Sequence, residues 1–234
     1  MKNELAVGFD FDHTLGSDNH LEVVAFGRLA EGCGIALDVK EARMHERIEA
    51  ILVPFRAAKE PMAGMIARFA AIVPGNGKLL EVHADELAGR YKQICYDLVP
   101  ELVVPLPGAC ECVAALVADG IPVGMLTNGW SELQERKIEH ALGQFPGPLL
   151  VSDVIGAYKP SARAFRMLAA ALFVDPSDLW YVGDNPAADI AGAREFGVRA
   201  VWLNENGHAY PVGLQPPTAV IEHLDALPGL IRGA

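Results

Sequence analysis

The pattern of apolar and polar residues divides the chain into two parts of different character. Residues 5–9 form an apolar run that is too short for a helix and is typical of a strand buried on both faces. The stretch from residue 19 to residue 98 instead carries apolar residues at helical spacing. This spacing predicts successive helices with no strand between them, at residues 19–32, 38–53, 62–73 and 82–98. We expect Asp38 to cap the second of these helices and Pro54 to end it.

After residue 108, short apolar runs alternate with helical segments. Strands are predicted at residues 121–126, 149–151, 179–182, 200–203 and 219–221, and helices at residues 108–119, 131–142, 161–172 and 190–196 and after the last strand. This alternation indicates right-handed crossovers and a doubly wound parallel sheet. The predicted fold class is therefore α/β, with a Rossmann-like core at residues 1–16 and 105–234 and an inserted α-helical domain at residues 17–104. Residues 204–217, rich in Gly, Pro and Asn, are expected to form a surface loop.

Composition narrows the class of protein. The chain of 234 residues is 51% hydrophobic and has a formal net charge of −11. Such a hydrophobic fraction is typical of a globular core, and the negative charge argues against binding nucleic acid through a basic face. No apolar run reaches the roughly 18 residues that cross a membrane. Residues 1–4 lead directly into the first strand, so we expect no secretory signal. Cys33, Cys95, Cys110 and Cys112 lack metal-binding spacing, so we expect reduced thiols in a cytoplasmic protein.

Polar residues follow several of the predicted strands at the point where each strand ends. The carboxyl ends of parallel strands meet at one edge of the sheet, and ligands bind at that edge in open α/β folds. Carboxylate oxygens at this edge suit Mg²⁺, and an ammonium and a hydroxyl group stabilise phosphate oxygens. Local positive charge is needed because the net charge of the chain repels an anionic substrate. The side chains expected to meet here are Asp10, Asp12, Thr127, Asn128, Lys159, Asp184 and Asp189.

Each of these residues also has a purely structural interpretation. Asp10 and Asp12 can end a strand and cap the next element, and Lys159 can be a surface lysine where a helix begins. Asp189 can be an acidic residue in the first turn of a helix, where the helix dipole favours it. The functional interpretation is favoured because the motifs that contain these residues occur together and in order.

Four short motifs carry a resemblance to a known family. They are Asp10-Phe11-Asp12-His13-Thr14, Leu126-Thr127-Asn128, Lys159-Pro160 and the segment from Gly183 to Asp189. With these motifs in this order, the chain resembles the haloacid dehalogenase superfamily. The resemblance is to the branch in which a helical cap is inserted after the first strand, as in enzymes similar to phosphoglycolate phosphatase.

The resemblance implies a metal-dependent reaction. Asp10 would be the nucleophile that forms an aspartyl-phosphate intermediate, and Asp12 would act as general acid and base. Mg²⁺ would be held by the carboxylate of Asp10, the backbone carbonyl of Asp12 and the carboxylate of Asp184. Asp189 would bind the metal directly or through water.

The resemblance also implies a phosphate site and a reaction type. Thr127 and the amide of Asn128 would hold phosphate oxygens, and Lys159 would bridge the phosphate and Asp10. The presence of Asp12 predicts cleavage of a phosphomonoester, because dehalogenases of the superfamily need no acid at that position. A sugar phosphomutase has the same four motifs, and a non-catalytic binding protein with this fold is a further alternative.

Specificity is expected to lie in the inserted domain. The expected substrate is a small phosphorylated metabolite: a sugar phosphate, a phosphoglycolate-like acid or a nucleotide monophosphate. We expect no nucleic-acid or membrane partner, and a monomer or homodimer. Arg56 and Lys59 are candidates for contact with a second anionic group, although we favour loop solvation for both. His13 replaces the usual glycine, and we interpret it as packing beneath the cap rather than facing the substrate. The cap is expected to hinge near residues 16–17 and 105–108.

Overall fold

A parallel β-sheet forms the centre of the larger of two compact units. The structure, a computed structural model, describes residues 3–57 and 59–233. The two units are Met1–Ser17 with Val104–Ala234, called the sheet unit below, and Asp18–Val103, called the helical unit. The predicted division, after residue 16 and before residue 105, lies one residue away from each of these boundaries.

The sheet unit contains one main sheet and one short pair of strands. In chain order its strands are β1 (Ala6–Phe9), β2 (Gly16–Ser17), β3 (Val104–Pro105), β4 (Val123–Thr127), β5 (Leu149–Val151), β6 (Leu179–Gly183), β7 (Arg199–Leu203) and β8 (Ala219–Ile221). Within the described residues, six strands pair in the order β5-β4-β1-β6-β7-β8, and every pairing is parallel. The predicted doubly wound sheet is confirmed. The chain connections switch direction at β1, which is where open α/β sheets form their ligand crevice.

Helices accompany the sheet and also make up the helical unit. The helical unit has α1 (Leu21–Gly32), α2 (Ala42–Arg56), α3 (Met62–Ile72), α4 (Gly77–Leu80) and α5 (Ala84–Leu102). The sheet unit has α6 (Ala109–Ala118), α7 (Ser131–Leu142), α8 (Ser152–Ile155), α9 (Ala162–Ala171), α10 (Gly192–Glu195) and α11 (Leu227–Arg232). Among the described residues, none of the helices has both the length and the apolar character needed to cross a membrane.

Close packing of α9 on the sheet explains why β1 carries a glycine. All four residues of β1 are buried, as expected for a strand covered on both faces. A Cβ atom at Gly8 would lie 2.5 Å from the side chain of Leu168 on α9, so a larger residue would push this helix away. Phe165, also on α9, meets the ring of Tyr181 edge-on at 5.1 Å. These contacts hold β1 and β6 in a rigid core beneath the strand ends.

Aromatic residues form the core of the helical unit. The ring centroid of Phe26 lies 4.2 Å from that of Phe69 and 4.6 Å from that of Tyr91. The three rings come from α1, α3 and α5, and all are fully buried. The hydroxyl group of Tyr91 donates to the backbone oxygen of Glu22 at 3.1 Å, so its polar end is satisfied.

The predicted bounds of α2 and α5 are wrong at several ends. Glu41, not Asp38, caps α2, because its carboxylate accepts from the backbone N–H groups of Arg43 and Met44. Pro54 does not end α2, which continues to Arg56. Proline removes only its own N–H donor, while the carbonyls of Val53 and Pro54 still accept from residues 57 and 59. In the same way α5 runs past Pro100 to Leu102, four residues beyond the predicted end. The short helix α4 was not predicted.

The segment after β6 departs from the predicted helix at residues 190–196. Pro186–Ala191 forms a wide π-helical turn, and α10 follows directly. The side chain of Asn185 starts the turn by accepting from the N–H groups of Ala187 and Ala188. The backbone oxygen of Asn185 also accepts from Asp189 and Ile190. This local geometry turns the carboxylate of Asp189 toward the strand ends.

The two chain connections between the units pair with each other. Gly16 lies opposite Pro105, and Ser17 lies opposite Val104, in the antiparallel pair β2–β3. These residues belong to the segments that the sequence predicts as hinges. The pairing was not predicted, because two-residue strands carry no periodic pattern.

Candidate active site

Asp10 and Asp12 follow the central strand of the sheet. The backbone N–H of Asp10 donates to the oxygen of Val182 on β6 at 2.9 Å, which continues the strand pairing to the first aspartate. The chain then turns sharply, because the oxygen of Phe11 accepts from the N–H groups of Thr14, Leu15 and Gly16. The Phe11 ring is fully buried. The turn therefore fixes the backbone on either side of Asp12.

Lys159 joins two of the predicted carboxylates. Its Nζ atom lies 2.7 Å from Oδ1 of Asp10 and 2.7 Å from Oδ1 of Asp189. The lysine is only 4% exposed. Burial alone lowers its pKa, but the charges of Asp10 and Asp189 outweigh burial and raise the pKa well above its usual value. Lys159 is therefore a buried ammonium ion rather than a surface lysine.

The side chain of Asn128 holds Lys159 in this position. Its Nδ2 donates to the backbone oxygen of Lys159 at 3.0 Å, and its Oδ1 accepts from the backbone N–H of Lys159 at 2.9 Å. This paired bond ties the end of β4 to the lysine segment. The side chain of Asn128 is thus occupied within the protein, and its backbone amide is the group compatible with the predicted contact to phosphate.

Asp10, Asp184 and Asp189 form a carboxylate cluster at the ends of β1 and β6. One carboxylate oxygen from each of the three residues lies within 4.8 Å of one from each of the other two. Burial, followed by the charges of Asp189 and Asp10, raises the pKa of Asp184 to about 8. Burial also raises the pKa of Asp10, with Lys159 opposing this shift. The carboxylates outnumber the nearby ammonium, and a divalent cation with oxygen ligands would relieve their repulsion. The donor set fits Mg²⁺.

Asp189 occupies the most enclosed position in this cluster. It is fully buried, and its Oδ2 accepts from the backbone N–H of Asn185 at 3.0 Å. A Cβ atom at Gly183 would overlap the Asp189 side chain, so only glycine at the end of β6 admits this carboxylate. Since Oδ1 bonds Lys159, both oxygens of Asp189 already have protein donors.

Two residues that the sequence reasoning missed hold Asp12 and Thr127. Nε2 of Gln134 donates to Oδ2 of Asp12 and to Oγ1 of Thr127, at 2.8 Å in each case. Nζ of Lys137 forms an ion pair with Oδ1 of Asp12. Both residues lie on the inner face of α7, and they are 3% and 2% exposed. Their sequence signal was a pair of long polar residues on the same helix face as Leu133 and Ile138.

A cavity of about 530 Å³ opens beside Asp184. It is lined by the loop after β7, including Asn206 and His208, and by His13. His13 is exposed, and its packing beneath the cap stays a prediction. Its backbone lies in the left-handed region, with φ 57°, and this conformation turns it out of the core. The loop at residues 204–217 contains no helix or strand, as predicted, but its contribution to a cavity was not foreseen.

The candidate residues of the helical unit have different surroundings. Arg56 bonds Glu22 at 2.7 Å and Glu49 at 2.9 Å. Its positive charge is therefore balanced within its own unit. Lys59 is exposed, in agreement with its interpretation as a solvated loop residue.

Comparison with known proteins gives matches to both phosphatases and dehalogenases. A phosphoserine phosphatase from Thermus thermophilus is 43% identical over 86 residues, which cover 36% of this chain and 34% of that protein. The pyrimidine 5'-nucleotidase YjjG from Escherichia coli is 31% identical over 134 residues, covering 56% and 59%. Haloacetate dehalogenase H-2 from Moraxella is 29% identical over 129 residues, covering 54% and 57%. The chain thus matches about a third to three-fifths of the length of these relatives.

The fold and the family are also shown by comparison. The structure of a HAD hydrolase, YfnB from Bacillus subtilis bound to magnesium, aligns with a TM-score of 0.75 and 21% identity. The alignment covers 97% of this chain and 98% of that one. The family described as "Hydrolase: haloacid dehalogenase-like hydrolase" matches residues 5–197. Because this match extends over most of the chain, the protein belongs to the haloacid dehalogenase-like hydrolases.

Proposed function

We propose that the protein is a Mg²⁺-dependent phosphatase that hydrolyses a small phosphorylated metabolite. The observation that carries the proposal is the pairing of two differently held carboxylates at one strand end. Asp10 bonds the buried Lys159, and Asp12, two residues further on, bonds Gln134 and Lys137. A nucleophile and a separate acid–base group are what transfer of a phosphoryl group from an ester requires.

The chain would hold its metal and its phosphate with the residues named above. Asp10, Asp184 and the backbone oxygen of Asp12 would bind Mg²⁺, which supplies positive charge to the phosphate oxygens. Asp189 would act by orienting Lys159, since both of its own oxygens accept bonds from protein groups. The magnesium bound to the structurally similar Bacillus protein supports this choice of metal.

The first half of the reaction forms an aspartyl-phosphate. A carboxylate oxygen of Asp10 attacks phosphorus, and the bond from phosphorus to the ester oxygen breaks. Asp12 gives a proton to the leaving alkoxide, which departs as an alcohol. Lys159, Thr127 and the backbone amide of Asn128 stabilise the charge on the phosphoryl oxygens.

The second half of the reaction releases phosphate. Asp12, now ionised, takes a proton from a water molecule as that water attacks phosphorus. The bond from phosphorus to Asp10 breaks, and Asp10 returns as a carboxylate. Asp12 therefore serves in both steps, and both steps should be slower in a chain without it.

The cavity beside Asp184 supports a small substrate. A volume of about 530 Å³ falls in the range of small-molecule sites. We propose a sugar phosphate, a phosphorylated hydroxy acid or a nucleotide monophosphate as the substrate. The phosphoserine phosphatase and pyrimidine nucleotidase among the relatives support this range.

The test is phosphate release from a panel of phosphomonoesters, with Mg²⁺ and with a chelator. Asp10→Asn should abolish release, and Asp225→Asn, which changes an exposed aspartate of the same unit, should not. Halide release from 2-haloacids is measured in parallel, because dehalogenases are among the relatives. Halide release without phosphate release from any ester would overturn the proposal.

A further inference from the structure

The helical unit contains a second group of metal-ligating side chains. Ligand atoms of His20, His45 and Glu49 lie within 4.8 Å of one another. The group is chemically unlike the carboxylate cluster of the sheet unit, because two of its donors are imidazoles. All three residues belong to Asp18–Val103, so the group is complete within one unit.

The helix geometry brings two of the donors together. His45 and Glu49 are four residues apart on α2 and therefore lie on the same face, one turn from each other. The ring of His20 approaches the ring of His45 edge-on, with centroids 4.9 Å apart and planes at 87°. Two imidazoles at this separation can both direct a nitrogen to one ion.

The backbone at the start of α1 fixes the position of His20. This residue has φ 60° and ψ 37°, a left-handed conformation that is uncommon for a residue with a side chain. Its backbone N–H donates to Oδ1 of Asp18 at 3.1 Å. His20 is exposed, and His45 and Glu49 are half-buried. An ion can therefore reach the group from solvent.

The charges around the group favour a cation. Oε2 of Glu49 accepts from Arg56 at 2.9 Å, which orients the carboxylate in the way that hydrogen bonds orient metal-bound carboxylates. Arg56 also bonds Glu22 and is influenced by the charge of Asp18. The carboxylates of Glu22 and Glu49 thus share one guanidinium group.

We propose that His20, His45 and Glu49 form a binding site for a divalent transition-metal ion, represented by Zn²⁺. Two imidazoles and one carboxylate form a known three-residue ligand set for zinc, with a further position for water. Imidazole nitrogens suit Zn²⁺, Co²⁺ and Ni²⁺, whereas Mg²⁺ takes oxygen ligands. The protein would then have two metal sites of different selectivity, one in each unit. This proposal does not depend on the proposed phosphatase activity.

The experiment is calorimetric titration of the metal-stripped protein with Zn²⁺, in excess Mg²⁺ to fill the carboxylate cluster. Titration with Co²⁺ adds a direct readout, because its visible absorption reports the number and type of ligands. We expect one Zn²⁺ per chain, with affinity weakened at least about tenfold by His45→Ala and by His20→Ala. His83→Ala is the matched control, since it removes an exposed histidine of the same unit.

Folding of each variant is checked by circular dichroism. Glu49→Gln keeps the shape of the side chain and serves as the variant for the third ligand if an alanine variant unfolds. Zn²⁺ should also raise the Tm of the wild type and of His83→Ala, but not that of His45→Ala. Failure of the wild type to bind Zn²⁺, or equal binding by His45→Ala and His83→Ala, would overturn the proposal.

Discussion

The two halves of the candidate active site, around Asp10 and around Asp12, differ in their balance of carboxylate and ammonium groups. Around Asp10, the carboxylates of Asp10 and Asp189 share Lys159, and the carboxylate of Asp184 lies close to both. Around Asp12, the amide of Gln134 and the ammonium of Lys137 hold a single carboxylate. The first half has an excess of negative charge, and the second half is balanced.

This difference in charge indicates which chemical role each half is suited to. An excess of carboxylates is costly without a cation, so the Asp10 half is suited to bind a metal and to present a nucleophile beside it. A carboxylate with fixed partners keeps one orientation, so the Asp12 half is suited to proton transfer at a defined atom. Two aspartates separated by one residue thus receive separate roles from their surroundings.

The largest expected effect comes from replacing Asp12, the proposed acid–base group. Asp12→Asn should lower kcat by about 10²–10⁴-fold for alkyl phosphates, the usual worth of general acid–base catalysis. The loss in formation of the phospho-enzyme should be much smaller with p-nitrophenyl phosphate, because its phenolate leaves without a proton. Burst kinetics with both substrates measure this step. Equal losses for the two substrates would show that Asp12 does not protonate the leaving group.

A smaller effect is expected from Lys137→Met, which removes the ion pair but keeps the length of the side chain. We expect kcat to fall by about 10–10²-fold with little change in KM, because Asp12 loses a positioning contact and not a contact to the substrate. The substitution should also change the pH dependence of kcat. Arg136→Met changes an exposed neighbour on the same helix and should leave both parameters unchanged. A rise in KM alone would assign Lys137 to substrate binding.

Removing Asp12 and removing Lys137 should lower the free energy of unfolding by different amounts. The side chain of Lys137 is 3% exposed and that of Asp12 is 27% exposed. Asp12→Ala removes a carboxylate that pairs with a buried ammonium and should lower the free energy of unfolding by about 3 kcal/mol. Lys137→Met leaves a carboxylate that Gln134 still bonds and that belongs to a partly exposed side chain, so its cost should be smaller. Urea denaturation of both variants measures the difference, and equal losses would contradict the asymmetry.

The last prediction concerns how the stability of the metal-free protein depends on pH and how much Mg²⁺ stabilises it. With the pKa of Asp184 raised to about 8 from 3.8 by burial and by Asp189 and Asp10, the folded metal-free protein retains a proton that the unfolded chain has lost. Its free energy of unfolding therefore falls as pH rises across this window. Mg²⁺ should raise the Tm by a few degrees at pH 8 and by less at pH 5.

The control for this prediction is Asp184→Asn, which removes the titrating group. Thermal unfolding of the metal-free variant should depend less on pH than that of the wild type. An unchanged pH dependence in Asp184→Asn would show that Asp184 does not carry the effect.

The sequence predicted the parts of the site that depend on topology. Thr127 and Asp184 follow from the rule that parallel strands end at one edge, and Lys159 was expected to join them from the loop before a helix. Gln134 and Lys137 were missed because they reach the site from a helix, where a buried polar residue has the same spacing as an apolar one. Asn128 holds Lys159 through hydrogen bonds between residues 31 positions apart. No local sequence pattern encodes such a contact.

The fold shows the same division between local and non-local information. The apolar run of β1 and the helical spacing of α7 determined their predicted positions. The π-helical turn at Pro186–Ala191 was missed, because it is defined by hydrogen bonds of unusual span and not by residue periodicity. Pro54 and Pro100 lie inside helices near their ends, where the loss of one donor is tolerated.

The pair β2–β3 has a consequence for how such proteins diversify. Ser17 and Val104 face each other across two hydrogen-bonded strands, and these are the residues between which the helical unit is inserted. An insertion whose two ends are neighbours can be lengthened, exchanged or deleted without moving the strands that carry Asp10 and Asp12. A short turn from Ser17 to Val104 would close the sheet unit without the helical unit. The helical unit can therefore be exchanged while the strands that lead to Asp10 and Asp12 keep their pairing.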